Sequence, residues 1–238
     1  EYPNDIGAGN IYRPEDKHNY TLMFRKLRLD LDTLEKQTGS KKLLTTAVGG
    51  FTRFLALTEM GDASKYLDYV SLMTYDFAQD SLHIVLHHTN LYSSKGYKTL
   101  CSADIAVHDF MAAGVPADKL VVGVAFYGHT LVAADSQKMI LGARTAAIRV
   151  RGGGGGYTFI KDSLINQKGY KYYRDKDAGA PYLYNADLRQ FITFDDEWSV
   201  KNKCRYVKKN GLAGVMFWEY ASDKKEYLLK EIDKDLTF

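Results

Sequence analysis

Apolar residues along the chain fall into two rhythms. In the first, Tyr20, Met23, Phe24, Leu27, Leu31 and Leu34 recur at three- and four-residue steps, which predicts an amphipathic helix entered near Pro14 and stopped by Gly39. In the second, short apolar runs appear at Leu43 to Val48, from Tyr69 toward Phe77, at Leu120 to Phe126 and at Leu212 to Trp218. Their length and composition suit strands covered on both faces. Helical segments are predicted between and after them: Asp62 to Leu67 with Asp62 as N-cap, Ser102 through Ala113 ahead of the stop Gly114-Val115-Pro116, Asp196 to Lys209, and Tyr227 to Leu236. Strand alternating with helix predicts an α/β chain with a parallel sheet and right-handed crossovers.

The rhythm breaks from Thr130 to Asp195. A short helix is predicted over Tyr157 to Lys168, and Tyr-rich strands over Tyr170 to Arg174, Ala180 to Tyr184 and Gln190 to Phe194, joined by turn residues such as Asn185 and Asp187. This is the pattern of a small α+β insertion and divides the chain into 1–129, 130–195 and 196–238. The run Gly152 to Gly156 follows no clear strand and lacks the Lys-Ser/Thr of a phosphate loop, so it is expected to be a flexible connector.

Three of the expected strands end in polar and aromatic residues together: Tyr75 with Asp76, Tyr127 near His129, and Trp218 with Glu219. In parallel α/β sheets, ligands sit at the carboxyl ends of strands. Composition adds to this, with 18 Tyr and 11 Phe against 2 Trp, since aromatic faces stack on sugar rings and on bases alike. Acids beside aromatics suit glycosidic bond cleavage, which needs a proton donor and a surface that holds the ring. The competing reading leaves Tyr75 and Trp218 in the core and Glu219 in an ion pair.

Charge narrows the partners. With 32 basic and 29 acidic residues and a net charge of +3, nothing marks a nucleic acid or an anionic membrane as a target. No apolar run reaches the roughly 20 residues of a membrane span, and Glu1 to Gly9 lack the basic and apolar regions of a signal peptide. Cys101 and Cys204 are expected to be half-buried free thiols. The long polar loop from Ala78 to Leu100 contains His83, His87 and His88, but no carboxylate or Cys stands with them at a ligand spacing, so no metal and no cofactor is expected.

Several separate motifs, in order, resemble glycoside hydrolase family 18, the chitinase family. They are Glu1-Tyr2-Pro3, Gly7-Ala8-Gly9-Asn10 with Arg13-Pro14-Glu15-Asp16, Leu72-Met73-Thr74-Tyr75-Asp76-Phe77, His87-His88-Thr89-Asn90-Leu91, Gly123 to Gly128, and Gly214-Val215-Met216-Phe217-Trp218-Glu219-Tyr220. Ala180 to Tyr184 and Phe191 to Asp196 are similar to the family's inserted α+β domain. The resemblance implies a (β/α)8 barrel of the TIM type, present here as about its last four strands. It also implies retaining hydrolysis of β-1,4-linked N-acetylglucosamine in chitin or chitooligosaccharides, in which the substrate's own acetamido group is the nucleophile.

By the same resemblance, Glu1 is the general acid and Tyr75 holds the acetamido group, with Tyr2, Asp76, Tyr127, Trp218 and Glu219 binding substrate. Met73 stands either beside the acetamido methyl or in the core. The bonds Glu1–Tyr2 and Trp218–Glu219 are expected to be cis, and the full-length protein to be secreted and monomeric. His129 departs from the family's Phe-Tyr-Gly-Arg pattern, and a neutral imidazole does not replace a five-donor guanidinium. The family signature places carboxylates two and four positions before its Glu, so the chain is expected to be the later part of a longer enzyme, with negligible hydrolysis by itself. The alternative is a chitinase-like lectin that binds glycan without cutting it.

Overall fold

The computed structural model describes residues 9, 11–78, 83–97, 99, 101–135, 140–146 and 154–236. A parallel four-stranded sheet is built from β1 (Thr45–Gly49), β2 (Tyr69–Met73), β3 (Leu120–Ala125) and β9 (Gly214–Trp218) in the order β1-β2-β3-β9. The helices connecting and flanking these strands are α1 (Asp16–Thr38), α2 (Thr52–Ala56), α3 (Met60–Ala63), α4 (Ala103–Ala112), α6 (Glu197–Lys209) and α7 (Tyr227–Leu236). The expected α/β alternation is therefore present. Val70, Leu72, Leu120, Val122 and Val124 are fully buried, as the continuous apolar runs require.

Local chemistry fixes the helix ends. Gly39 adopts the left-handed conformation at the end of α1, with its N–H bonded to the Glu35 carbonyl. Ser102 caps α4 through Ile105, and Asp196 caps α6 in a reciprocal capping box with Ser199. The segment expected to form one helix from an Asp62 cap is instead α3 followed by a 3-10 turn at Ser64–Tyr66, and the residue before α3 is Glu59. Asp62 lies within that helix, where its carboxylate pairs with Lys65 at 2.6 Å and is not used as a cap.

A second sheet, antiparallel, takes the order β5-β4-β8-β7-β6 from β4 (Tyr127–Val132), β5 (Gly155–Gly156), β6 (Lys171–Asp175), β7 (Ala180–Asn185) and β8 (Gln190–Thr193), with α5 (Tyr157–Ser163) beside it. Strand β4 begins two residues after β3 ends, so one chain segment passes from the parallel sheet directly into the antiparallel one. The flexible connector expected over the glycine run is corrected by its described part. Gly155 and Gly156 pair with Gly128 and Tyr127. A Cβ on Gly156 would lie 2.6 Å from the Ser222 carbonyl oxygen, and one on Gly154 would lie 2.7 Å from the Gly128 backbone. These glycines permit close backbone approach, a use distinct from flexibility.

Candidate functional site

Strand β2 delivers Thr74, Tyr75 and Asp76 at its carboxyl end. Thr74 is fully buried and exchanges hydrogen bonds with the Gly123 backbone, donating to its carbonyl and accepting from its N–H, both at 2.9 Å. This locks the exit of β2 to β3. Gly123 is required there, because a Cβ would meet the Leu72 carbonyl oxygen at 2.7 Å and the Tyr75 ring at 2.9 Å. Tyr75 is thereby seated with 7% exposure, its hydroxyl donating to Met216 Sδ at 3.7 Å and its ring edge-on to Tyr127 at 6.2 Å between centroids.

Asp76 has a φ of 60°, a left-handed conformation uncommon for a residue with a side chain. Its Oδ1 accepts from the Tyr127 hydroxyl at 2.6 Å and from His129 Nε2 at 2.7 Å, and lies 3.7 Å from His88 Nδ1. Burial opposes ionisation of Asp76, but His129, His88 and Tyr127 outweigh it and hold the carboxyl far below its ordinary range. Burial pushes His88 down to about 4 despite the nearby carboxylate, so its imidazole is neutral at pH 7. The Tyr127 hydroxyl is pushed well above its usual value by burial and by its bond to Asp76, which keeps it a donor.

At the end of β9, the Trp218–Glu219 peptide is cis, as expected, and Trp218 is 58% exposed. Trp218, Glu219, Tyr127, His129 and Gly156 line a cleft of about 310 Å³. The structure therefore brings together Tyr75, Asp76, Tyr127, Trp218 and Glu219 around the carboxyl ends of β2, β3 and β9. Met73 is half-buried at the last position of β2, opposite Gly49. Glu1 and Tyr2, and the bond between them, lie outside the described residues. A larger cavity of about 590 Å³ is lined by Lys17, Glu59, Gly61, Asp62, Lys65 and Gly114, and no aromatic ring is among its described lining residues.

Two features escaped sequence reasoning. The first is a buried polar network behind the site. Lys203 Nζ lies 2.7 Å from Asp195 Oδ2, both side chains being fully buried. Asp195 also accepts from the Ala125 N–H, the Thr89 hydroxyl and the Ser199 hydroxyl at 3.0, 2.8 and 2.7 Å. It thus ties the end of β3, the loop containing His88, and α6 into one unit. The available signal was a cation on an apolar helix face, since Lys203 falls between buried Val200, Cys204 and Val207.

The second feature is the set of partners of the loop histidines. His88 sits beside Asp76, and His87 Nε2 is 3.4 Å from Asp175 Oδ2. Neither carboxylate is close to the histidines in sequence: Asp76 arrives from the end of β2 and Asp175 from β6. Among the thiols, Cys204 is fully buried and Cys101 is partly exposed.

Comparison with known proteins places this arrangement. The family model described as Glycosyl hydrolases family 18 matches residues 1–223, and the chain belongs to that family. It is 36% identical to Chitinase A1 of Niallia circulans, over 99% of this chain and 36% of that protein. A solved family 18 N-acetylglucosaminidase from Paenibacillus barengoltzii is similar with a TM-score of 0.91 at 37% identity, covering 99% of this chain and 68% of that one. Chitinase ChiA74 from Bacillus thuringiensis gives a TM-score of 0.89 at 32% identity, covering 99% and 42%. Over its own length the chain thus shares the fold of these family 18 enzymes, which are TIM barrels. The chain spans about a third to a half of the curated relatives it matches, 36% of Chitinase A1 and 50% of the Endochitinase 1 of Metarhizium anisopliae. No described helix is long and apolar enough to cross a membrane.

Proposed function

We propose that the polypeptide containing this chain hydrolyses β-1,4-linked N-acetylglucosamine in chitin or its oligomers, outside the cell and as a monomer. The observation behind this reading is the convergence of Tyr75, Asp76, Tyr127 and the exposed Trp218 at the carboxyl ends of parallel strands, beside one open cleft. The four parallel strands are read as the last four of a (β/α)8 barrel, and residues 130–195 as an α+β unit inserted before the final helix and strand. Among the described residues β1 and β9 each have a neighbour on one side only. Unpaired strand edges are a liability for folding and association. The 238 residues alone are therefore expected to turn over substrate negligibly.

In the proposed mechanism the acetamido carbonyl oxygen of the substrate attacks the anomeric carbon as the glycosidic C–O bond breaks. Glu1 gives its proton to the leaving oxygen, and a cyclic oxazolinium forms. Water then attacks the anomeric carbon from the opposite side, returns a proton to Glu1 and reopens the ring, giving net retention. Tyr75 positions the acetamido group through its hydroxyl, Asp76 and Tyr127 bind sugar hydroxyls, and Trp218 forms the floor under the ring.

Tyr75→Phe tests the positioning role. It removes one oxygen from a residue already packed edge-on to Tyr127, so folding is expected to be kept. The expected result in the full-length polypeptide is a loss of kcat on the order of 10²-fold with KM changed little, read by chromatography of chitooligosaccharide products. Unchanged kcat in a folded variant removes Tyr75 from the mechanism.

A further inference from the structure

The structure assigns a second ligand to this region: we infer that Asp76, His88 and His129 form a binding site for a divalent transition metal of the zinc type. One ligating atom from each of the three residues lies within 4.8 Å of the others. Asp76 Oδ1 is 2.7 Å from His129 Nε2 and 3.7 Å from His88 Nδ1. Zinc bonds of about 2.0–2.2 Å in a tetrahedron set ligand atoms roughly 3.3–3.5 Å apart, so the observed separations bracket what the ion requires. Small side-chain rotations would close the difference, with the ion replacing the proton that His129 Nε2 gives to Asp76; the imidazole moves its remaining proton to Nδ1 or releases it to solvent.

The independent observation is His88 itself. Its side chain is fully buried, and among the described residues neither Nδ1 nor Nε2 has a partner within hydrogen-bond distance, the nearest carboxylate oxygen, Asp76 Oδ1, being 3.7 Å from Nδ1. Buried polar atoms are nearly always satisfied, and a buried imidazole with two orphaned nitrogens needs an explanation. Nδ1 lies beside the carboxylate of Asp76, where a metal would take up its lone pair. Tyr127 donates to that same carboxylate and fixes its orientation, as groups behind metal ligands commonly do. Access is open from solvent, since the Asp76 and His129 side chains are 53% and 37% exposed. The remaining coordination positions would fall to water.

Two imidazoles and one carboxylate suit Zn²⁺, Cu²⁺ or Ni²⁺ better than Mg²⁺ or Ca²⁺, which prefer all-oxygen shells. His129 decides the matter, because the Arg of the usual family pattern is always protonated and has no lone pair to give. The site is thus a property of this chain at a position where it departs from its family. Metal binding stands apart from the hydrolytic reading. If that reading also holds, the ion engages the same carboxylate as the sugar and acts as a reversible inhibitor.

The test is calorimetric titration of the chelator-treated, full-length polypeptide with ZnSO₄, with Co²⁺ substitution as a second readout. Expected are one bound Zn²⁺ with Kd in the micromolar range or tighter, and Co²⁺ bands of a four-coordinate N/O site. In His129→Arg, affinity is expected to fall by more than ~100-fold and the Co²⁺ bands to vanish, ligand loss costing more than the 10–100-fold typical of outer partners. Asp76→Asn, at a half-exposed position, serves the same purpose if His129→Arg does not fold. His108→Gln, on the exposed face of α4, is expected to leave the titration unchanged. The absence of saturable Zn²⁺ binding, or equal binding in wild type and His129→Arg, overturns the assignment.

Discussion

Replacing Glu1 with Gln in the full-length polypeptide is expected to lower kcat on chitooligosaccharides by ~10²–10⁴-fold while leaving KM nearly unchanged. The amide keeps the size of the side chain and loses the proton that the leaving oxygen must receive. In the proposed substrate-assisted reaction this loss is selective. The acetamido nucleophile belongs to the substrate and the surfaces that hold the sugar are untouched, so binding persists while bond cleavage stalls. Steady-state kinetics on wild type and variant give both parameters, and calorimetric binding of chitotetraose separates affinity from KM. A variant that retains more than about half of wild-type kcat would falsify the assignment of Glu1 as general acid.

Lys203→Ala is expected to destabilise the protein by about 3–5 kcal/mol, because it leaves the Asp195 carboxylate buried without its counter-charge. Burial already pushes the Lys203 ammonium below its usual range, and Asp195 is the group that opposes this. In many proteins a buried ion pair can be exchanged for two apolar residues at little cost. Here Lys203→Met with Asp195→Leu is expected to remain destabilised, since the Ala125 N–H and the Ser199 hydroxyl would lose an acceptor inside the fold. Thermal unfolding of the two variants, followed by calorimetry, checks both statements. A melting temperature for Lys203→Ala within about 2 °C of wild type contradicts the role given to this pair. The same network holds the loop containing His88, because Thr89 bonds to Asp195 and the His88 N–H donates to Thr193 at 3.2 Å. Destabilisation is therefore expected to appear first at the site.

What could be read from the chain follows from how far each determinant acts. The runs at β2, β3 and β9 and the periodic faces of α1 and α6 are local patterns, and their elements lie within a few residues of expectation. The same holds for the Tyr-rich strands β6, β7 and β8. The strand β4 was not legible, because Tyr127-Gly128-His129 reads as the polar end of β3; its pairing depends on β8, sixty residues later, and on the glycines of β5. Helix α2 is only five residues long, too short for a periodic signal. Aromatic and acidic residues at strand ends disclosed Tyr75, Asp76, Tyr127, Trp218 and Glu219, since a parallel sheet gathers strand ends at one edge. The contacts of His88 and the Asp195–Lys203 pair were hidden for the opposite reason, each joining segments that only the folded chain makes neighbours.

The measurement that bears most directly on the proposed chemistry is proton NMR of freshly cleaved chitotetraose, with the full-length polypeptide at catalytic concentration. The expected result is release of N-acetylglucosamine oligomers whose new reducing ends appear first as the β-anomer and then mutarotate, as retention through an oxazolinium requires. Binding of the tetramer with no new reducing end over prolonged incubation would contradict it and assign the chain to glycan recognition without cleavage.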